Sequence, residues 1–374
     1  MQISDFPELP AVLQQAVLRA LTAQYDGQLF EADRLYQQIV RRKPLHPLMA
    51  NTAAGFFLLK GDFATAWNLF RHRLDLPYYT HRRFAKLPQP MWTGETVPEG
   101  RLLIFCDMGL GDTILLARFL PQVLERVGSL ALQVNPGTGA FWQRRWPQVE
   151  VRERDDPFPD CDMRLNMFCL PRLLGADVDT LPEPGYLQAS EEERAFWRAR
   201  LSDDRGLKVG LNWQGNPDHV RDAERSIPIS ALKPMIEDAG LRTSGVRFYS
   251  LQLHDGHDDA DDLVSAGAMT SLSSEMSARD PLEASAALVE ELDLVITIDS
   301  ALANLAGAID RPFWLPTYKV PDWRWATYPD LELENPQSSP WFNAQCLYRC
   351  AERGDWQPMI RAMTDDLARL TAEG

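Results

Sequence analysis

The chain is short of the features that define several large protein classes. Its 374 residues include only five cysteines, Cys106, Cys161, Cys169, Cys346 and Cys350. The odd count and the absence of any CxxC pair argue against a disulfide framework and leave structural zinc without its ligand spacing. Basic residues are scarce: 38 Lys and Arg stand against 53 Asp and Glu, a net charge of −15. Nonspecific nucleic-acid binding, which runs on clustered Lys and Arg meeting phosphate, is therefore not expected. An anionic membrane surface is disfavoured likewise, apart from one basic segment, Arg71 to Lys86, with Arg71, His72, Arg73, His81, Arg82, Arg83 and Lys86. No apolar run approaches the roughly 18–20 residues that span a bilayer. The opening MQISDFPELP has neither the basic start nor the apolar stretch of a leader, so the expected compartment is the cytoplasm. The six histidines form no HExxH or HxH pair, and there is no GxSxG and no P-loop.

What is present is ordinary globular material, 45% hydrophobic and 24% charged, enough for two or three domains with real cores. The N-terminal part repeats. GQLFEADRLYQQIVRRKP from Gly27 and GDFATAWNLFRHRLDLP from Gly61 align at a spacing of 34, matching Leu29 with Phe63, Ala32 with Ala66 and Tyr36 with Phe70. That period resembles the tetratricopeptide repeat, with first helices predicted over about Leu13–Gln24 and Pro47–Leu59. Two repeats make a marginal array, so the piece is expected to pack on the following domain or on a partner.

Beyond Pro98 the pattern changes to α/β. Leu102–Cys106 reads as a strand, Met108–Asp112 as a glycine-rich turn, Thr113–Val127 as a helix and Leu130–Val134 as a second strand, with VEVRE near Val149. SEEERAFWRARL carries a capping box, Ser190 with Glu193. Strands at Lys208–Trp213 and Val246–Gln252 begin a second unit. LEASAALVEEL then leads into DLVITIDSALANLAGAIDRPFWLP, one βαβ unit from Asp293 to Pro316. The expected class is α/β, two Rossmann-like domains behind a short α-helical repeat module. The expected boundaries are 1–85 for the repeats, 86–188 and 189–352 for the two α/β domains, and 353–374 for a C-terminal helix packing back across them.

Three loops at strand ends carry candidate chemistry, because ligands of open α/β sheets bind at the carboxyl ends of strands. In Gly109-Leu110-Gly111-Asp112-Thr113 the glycines permit close approach and Asp112 is either a helix N-cap or a proton acceptor. The missing third glycine argues against the dinucleotide fingerprint. In NWQGNPDHVRDAERSIPI, Arg221 and Arg225 are placed to neutralise a diphosphate or are solvated arginines, and Pro228 opens a helix. In the third loop Asp299 and Ser300, with Asn304 one turn on, cap a helix or hold phosphate and hydroxyl oxygens at its positive end. The acidic run HDGHDDADDL reads as a divalent-cation site or as a solvated loop. Trp323 and Trp325 stack on a base or sugar, or plug a domain interface.

In this order GLGDTILLARFLP, VGLNWQGNP…RSIPI and DLVITIDSALANLAGAIDRPFWLP…PDWRW…SPWF resemble bacterial tetratricopeptide-repeat glycosyltransferases, whose catalytic region is similar to the heptosyltransferase family with its GT-B fold. The resemblance covers about Leu102 to Trp356. It implies an inverting transfer of sugar from a nucleotide-sugar to an acceptor hydroxyl, with Asp112 as general base and Arg225 neutralising the departing diphosphate. The implied donor-binding set is Gly109, Gly111, Trp213, Gly215, Asn216, Arg221, Ser226, Gln252, Asp299, Ser300, Ala301 and Asn304. It implies no metal and no cofactor besides the donor substrate, since arginines and helix dipoles take the metal's place. By analogy the repeats recruit a protein acceptor, flagellin or another surface protein, and a homo-oligomer is a further expectation. Two positions depart from the family pattern: Ser300 stands for Thr and Asn304 for His. Two other readings follow, a degenerate transferase that binds without turnover and a transferase for a lipid-linked or polysaccharide acceptor that touches membrane through Arg71–Lys86.

Overall fold

A computed structural model of the chain describes residues 9–76, 83–219, 222–253, 255–334, 336–343, 345–352 and 354–373. Two helical hairpins come first: α1 (Ala11–Tyr25) with α2 (Leu29–Val40), and α3 (Pro47–Leu59) with α4 (Phe63–Phe70). Gly27 and Gly61 end α1 and α3 at φ +81° and +82°, where a side chain would be strained. That left-handed turn lets Gln28 N–H reach Ala23 O at 2.8 Å and Asp62 N–H reach Phe57 O at 2.8 Å. Ala32 and Ala66 are fully buried where the helices meet, and Tyr36 stacks on Phe56 at 4.7 Å.

Two parallel sheets follow. The first has the order β3-β2-β1-β4, from β1 (Val97–Phe105), β2 (Val127–Val134), β3 (Glu150–Glu153) and β4 (Met163–Asn166). The second contains β5 (Lys208–Asn212), β6 (Arg247–Ser250), β7 (Met269–Ser271), β8 (Leu294–Thr297), β9 (Phe313–Thr317) and, after a two-stranded antiparallel ribbon of β10 (Ala326–Thr327) and β11 (Gln337–Ser338), β12 (Gln345–Arg349). Its order is β12-β9-β8-β5-β6-β7 and all its pairings are parallel. Counted within each unit, strands run 3-2-1-4 in the first sheet and 3-2-1-4-5-6 in the second, the doubly wound pattern. Connections diverge to opposite faces between strands 1 and 4, which opens a crevice there: β1 beside β4 in one sheet, β5 beside β8 in the other. Every residue of β8 and β9 is buried, as strands covered on both faces must be.

Several local expectations are corrected. The helix predicted over Thr113–Val127 starts earlier, as Leu110–Leu116, tightens to a 3₁₀ turn at Ala117–Phe119 and restarts as Leu120–Leu124. Pro121 has no N–H to continue the ladder and its ring crowds the preceding turn. Half of the capping box forms: Ser190 Oγ accepts from Glu193 N at 3.3 Å, while the Glu193 carboxylate turns to Trp197 Nε1 and the Arg279 guanidinium. The C-terminal helix Gln357–Glu373 stays on the second unit, where Met359, Ile360, Met363 and Leu367 join the core of Val209, Leu211 and Ile296. All five cysteines are free.

The helical module is welded to the sheets. Its core is continuous with that of β1 and β2 and with the segment after β9. Trp323, Trp325 and Trp341 are buried, so the tryptophans plug an interface and are not exposed stacking surfaces. Trp67 meets Trp323 and Trp341 edge-on, each at 6.1 Å, and Phe63 stacks on Trp341 at 5.7 Å. Tyr328 N–H donates to Leu59 O at 2.7 Å. The basic segment is not one exposed patch either: Arg73 is buried and paired with Asp107 at 3.2 Å, and Arg83 donates to Asp155 O and Asp156 O. His81 and Arg82 lie outside the described residues.

Candidate active site

The loops at the two crevices face each other. In the first unit Asp107, just beyond β1, accepts from Asn166 Nδ2 at the end of β4 at 2.8 Å. The chain then turns through Met108, whose carbonyl takes Arg154 Nη2 at 2.7 Å and Asn135 Nδ2 at 3.2 Å. Gly109 is the N-cap of the helix Leu110–Leu116 and Asp112 lies inside its first turn, so Asp112 is not the cap. Its carboxylate points across the seam to the second unit and pairs with Arg324.

In the second unit the end of β5 and the end of β8 are tied by Asn212, whose Oδ1 accepts from Thr297 Oγ1 at 3.0 Å and Ser300 Oγ at 3.1 Å. Ser300, not Asp299, caps the helix Ala301–Ile309, accepting from Leu302 N at 3.2 Å. Asp299 is left free of capping. Burial pushes its carboxyl up to about 6, Asp322 adding to the rise while Arg324, the Trp325 indole and Arg225 oppose it. Arg225 reaches the same turn, its Nη1 donating to Asp299 O at 2.9 Å and its Nε to Asp222 Oδ1 at 3.0 Å. Gly215 lies flat against that guanidinium; an added Cβ would sit 2.4 Å from Nη2. Ser226 Oγ accepts from Gly215 N and donates to Asp222 Oδ2, each at 3.0 Å.

The two units touch at Gly111. A Cβ there would be 3.0 Å from Asn304 Nδ2 and 3.5 Å from Ala301 Cα, so the glycine permits the helix tip to close on its counterpart. Asn304 is buried; its Nδ2 donates to Ser300 O at 2.9 Å and its Oδ1 has no donor.

Of the residues singled out from the sequence, Gly109, Gly111, Asp112, Gly215, Arg225, Ser226, Asp299, Ser300, Ala301 and Asn304 come together along this seam. Three others are employed differently. Trp213 is a core residue of the second unit. Gln252 is buried and stitches the loop, its Oε1 accepting from Asn212 Nδ2 at 2.7 Å and from Trp213 N and Gln214 N at 3.2 Å, its Nε2 donating to Gln214 O and Asp255 O. Asn216 is exposed and folds back onto Asp218 N at 2.9 Å. Arg221 lies outside the described residues. Among the described residues no three His, Cys, Asp or Glu side chains are grouped to hold a metal ion, and no helix is long and apolar enough to cross a membrane.

Arg324 is the principal residue that sequence reasoning missed. Its Nη1 takes Asp322 Oδ1 at 2.6 Å, Nη2 takes Asp112, and the guanidinium lies 4.2 Å over the Trp323 ring. Burial alone would lower its pKa, but Asp322, Asp112 and Asp299 around it hold it above the ordinary arginine value. The available signal was an arginine inside PDWRW, a run noticed for its tryptophans. Asp322, Asp222 and Asn212 were missed with it.

No protein-family model matches the chain. Protein FlbA of Caulobacter vibrioides is 26% identical over 351 residues, 87% of this chain and 56% of FlbA, so the chain spans a little over half the length of that relative. A glycosyl transferase family 9 structure from Veillonella parvula superposes with a TM-score of 0.52 at 12% identity, over 75% of this chain and all of that one. ADP-heptose lps heptosyltransferase II of E. coli follows at 0.48, with 13% identity over 73% of this chain and all of the other. The chain thus shares with the Veillonella protein an α/β fold built on parallel sheets.

Proposed function

We propose that the chain is a glycosyltransferase that moves a sugar from a nucleotide-sugar donor to an acceptor hydroxyl. The observation that carries this reading is the meeting, at the crevices of two doubly wound units, of a carboxylate from one unit with two guanidiniums and a capped helix N-terminus from the other. Asp112 takes the proton of the acceptor hydroxyl as that oxygen attacks the anomeric carbon. Arg225 and the Ser300 turn stabilise the diphosphate that leaves from the opposite side, so the anomeric configuration inverts. Two arginines and a helix dipole in the seam supply positive charge without a metal ion or other cofactor. The acceptor is proposed to be a protein, flagellin-like, recruited by the helical module in the cytoplasm. Val12 at 73% and Phe30 at 64% exposure are apolar side chains that α1 and α2 present to a partner.

The test is donor hydrolysis and transfer with UDP-, GDP-, ADP-, CMP- and dTDP-sugars. Asp112→Ala is expected to lower turnover by about 10²–10⁴-fold, with Arg225→Ala also strongly impaired. Near-wild-type turnover in both variants would overturn the assignment. One observation favours a second reading, a module that binds the donor without turning it over: Asp112 is engaged in an ion pair with Arg324. Thermal stabilisation by a donor that is never hydrolysed or transferred would select it.

A further inference from the structure

The ion pair between Asp112 and Arg324 joins the two α/β units at the strand-end loops. Among the described residues four carboxylates line the seam, Asp112, Asp222, Asp299 and Asp322, against the guanidiniums of Arg225 and Arg324. Arg225 is committed within its own unit, to Asp222 and to the Asp299 carbonyl, and Gly215 packs against it. Arg324 is divided. One edge is fixed within its unit, because Asp322 Oδ1 accepts both Nη1 at 2.6 Å and the Arg324 backbone N–H at 3.1 Å. The plane of the guanidinium is set by Trp323, itself packed against Trp67 and Trp341. The remaining edge points across the seam to Asp112, and this pair is solvent-reachable, with side-chain exposures of 16% for Arg324 and 12% for Asp112. By contrast the ion pair between Arg73 of the helical module and Asp107 is sealed at 3% and 1%, and Arg144, which also crosses between the α/β units, pairs with Glu283 and Asp280 away from the strand-end loops. A reachable pair held from one side only is one that a competing anion can open.

We propose that Arg324 is a diphosphate-binding residue masked by Asp112: an incoming nucleoside diphosphate takes the Arg324 edge that Asp112 holds in this structure, and the exchange releases Asp112 to accept a proton. The inference rests on the donor reading given above. A phosphate offers a guanidinium the same paired-oxygen geometry as a carboxylate with more negative charge, so the exchange keeps the fork filled while the Asp322 edge stays in place. It also accounts for a base that is not left idle beside a donor: Asp112 is freed only when the diphosphate is seated.

The test is the affinity of the full chain for ADP, GDP, UDP and dTDP, by calorimetry and thermal shift, in wild type, Asp112→Asn, Arg324→Gln, Arg324→Lys and the Asp112→Asn/Arg324→Gln double variant. Removing the competitor should make Asp112→Asn bind several-fold more tightly than wild type. Removing the receptor edge should make Arg324→Gln bind about tenfold or more weakly, the loss of one charge-assisted hydrogen-bond pair. Arg324→Lys, which keeps the charge without the fork, should fall between them, and the double variant should bind no better than Arg324→Gln alone. A purely structural ion pair would lower the melting temperature of both single variants and leave nucleotide affinity unmoved, and that result would overturn the inference while the transferase reading stood. The expected order of affinities with no donor ever hydrolysed or transferred would leave the inference intact and remove the transferase. No binding of any of these nucleotides to wild type or to Asp112→Asn would remove both.

Discussion

Asp299 is a carboxylate placed where burial works against its charge, beside Asp322 and within reach of Arg324 and Arg225. Its folded-state value of about 6 lies above the model-peptide value of 3.8, so the folded protein binds this proton more tightly than the unfolded chain does. The stabilising contribution is full below about pH 4 and is lost as the pH rises through about 6. Each unit is worth about 1.4 kcal/mol, and partial exposure of the side chain screens this to a total on the order of 1–2 kcal/mol. Asp299→Asn is therefore expected to gain stability relative to wild type by that amount between about pH 4.5 and pH 7, read from urea unfolding at both values. A difference between variant and wild type that does not change with pH would refute the assignment. At this scale the sequence pointed to residues that the fold brings together: Asp112, Arg225 and Asp299 all stand out in their loops and all meet at the seam. Arg324 was not, because its role depends on a segment after β9 returning to the seam, and local pattern carries no record of that return. Trp213 and Gln252 were misassigned for the complementary reason. Both lie at strand ends, yet one side chain turns into the core and the other turns back on its own loop.

The second unit's crevice is an arrangement of strand ends, and its rigidity resides in a few amide side chains. Asn212 joins β5 to β8 and hands one donor to Gln252, which collects three donors and serves two carbonyls while 3% exposed. Gln252→Ala leaves those groups buried without partners, and each such group costs about 1–3 kcal/mol; the expected loss is about 2–4 kcal/mol. Ser300→Ala removes one helix cap, worth about 1 kcal/mol. Chemical unfolding of the two variants should reproduce that ranking, and a Gln252→Ala protein as stable as Ser300→Ala would show that the loop is held by other contacts. The α/β class and the Asp293–Pro316 strand–helix–strand were readable from hydrophobic runs and cap residues. The break before Pro121 and the half-formed box at Ser190 were not read. The first was hidden by an unbroken apolar spacing over Ile114–Leu124, the second because Arg279 and Trp197 compete for the Glu193 carboxylate.

Across the whole molecule one apolar core runs through the helical module, the first sheet and one face of the second sheet, whose other face has its own core under the C-terminal helix, and the contact runs from α4 to the seam. Trp67 lies on Trp323, Trp323 lies under Arg324, and Arg324 holds Asp112. The weld has a polar component as well, the sealed pair between Arg73 of the helical module and Asp107 at the end of β1, with Asn166 as a further donor to Asp107. A buried ion pair recovers its desolvation cost only while both partners remain, so removing one is far more damaging than replacing both with apolar groups. Arg73→Ala is expected to destabilise the protein by about 3–5 kcal/mol by stranding the Asp107 charge. Arg73→Met with Asp107→Leu should restore most of that loss, the Met side chain keeping the packing against Phe168, where the guanidinium now lies 4.1 Å from the ring. Because the module has no core separate from that of β1 and β2, both proteins should still unfold in one transition, followed by tryptophan fluorescence and far-ultraviolet dichroism together. A double variant as unstable as Arg73→Ala would mean that the pair specifies how the module docks rather than merely tolerating burial. Two separated transitions would mean that the aromatic contacts of Trp67, Trp323 and Trp341 cannot hold the module without it.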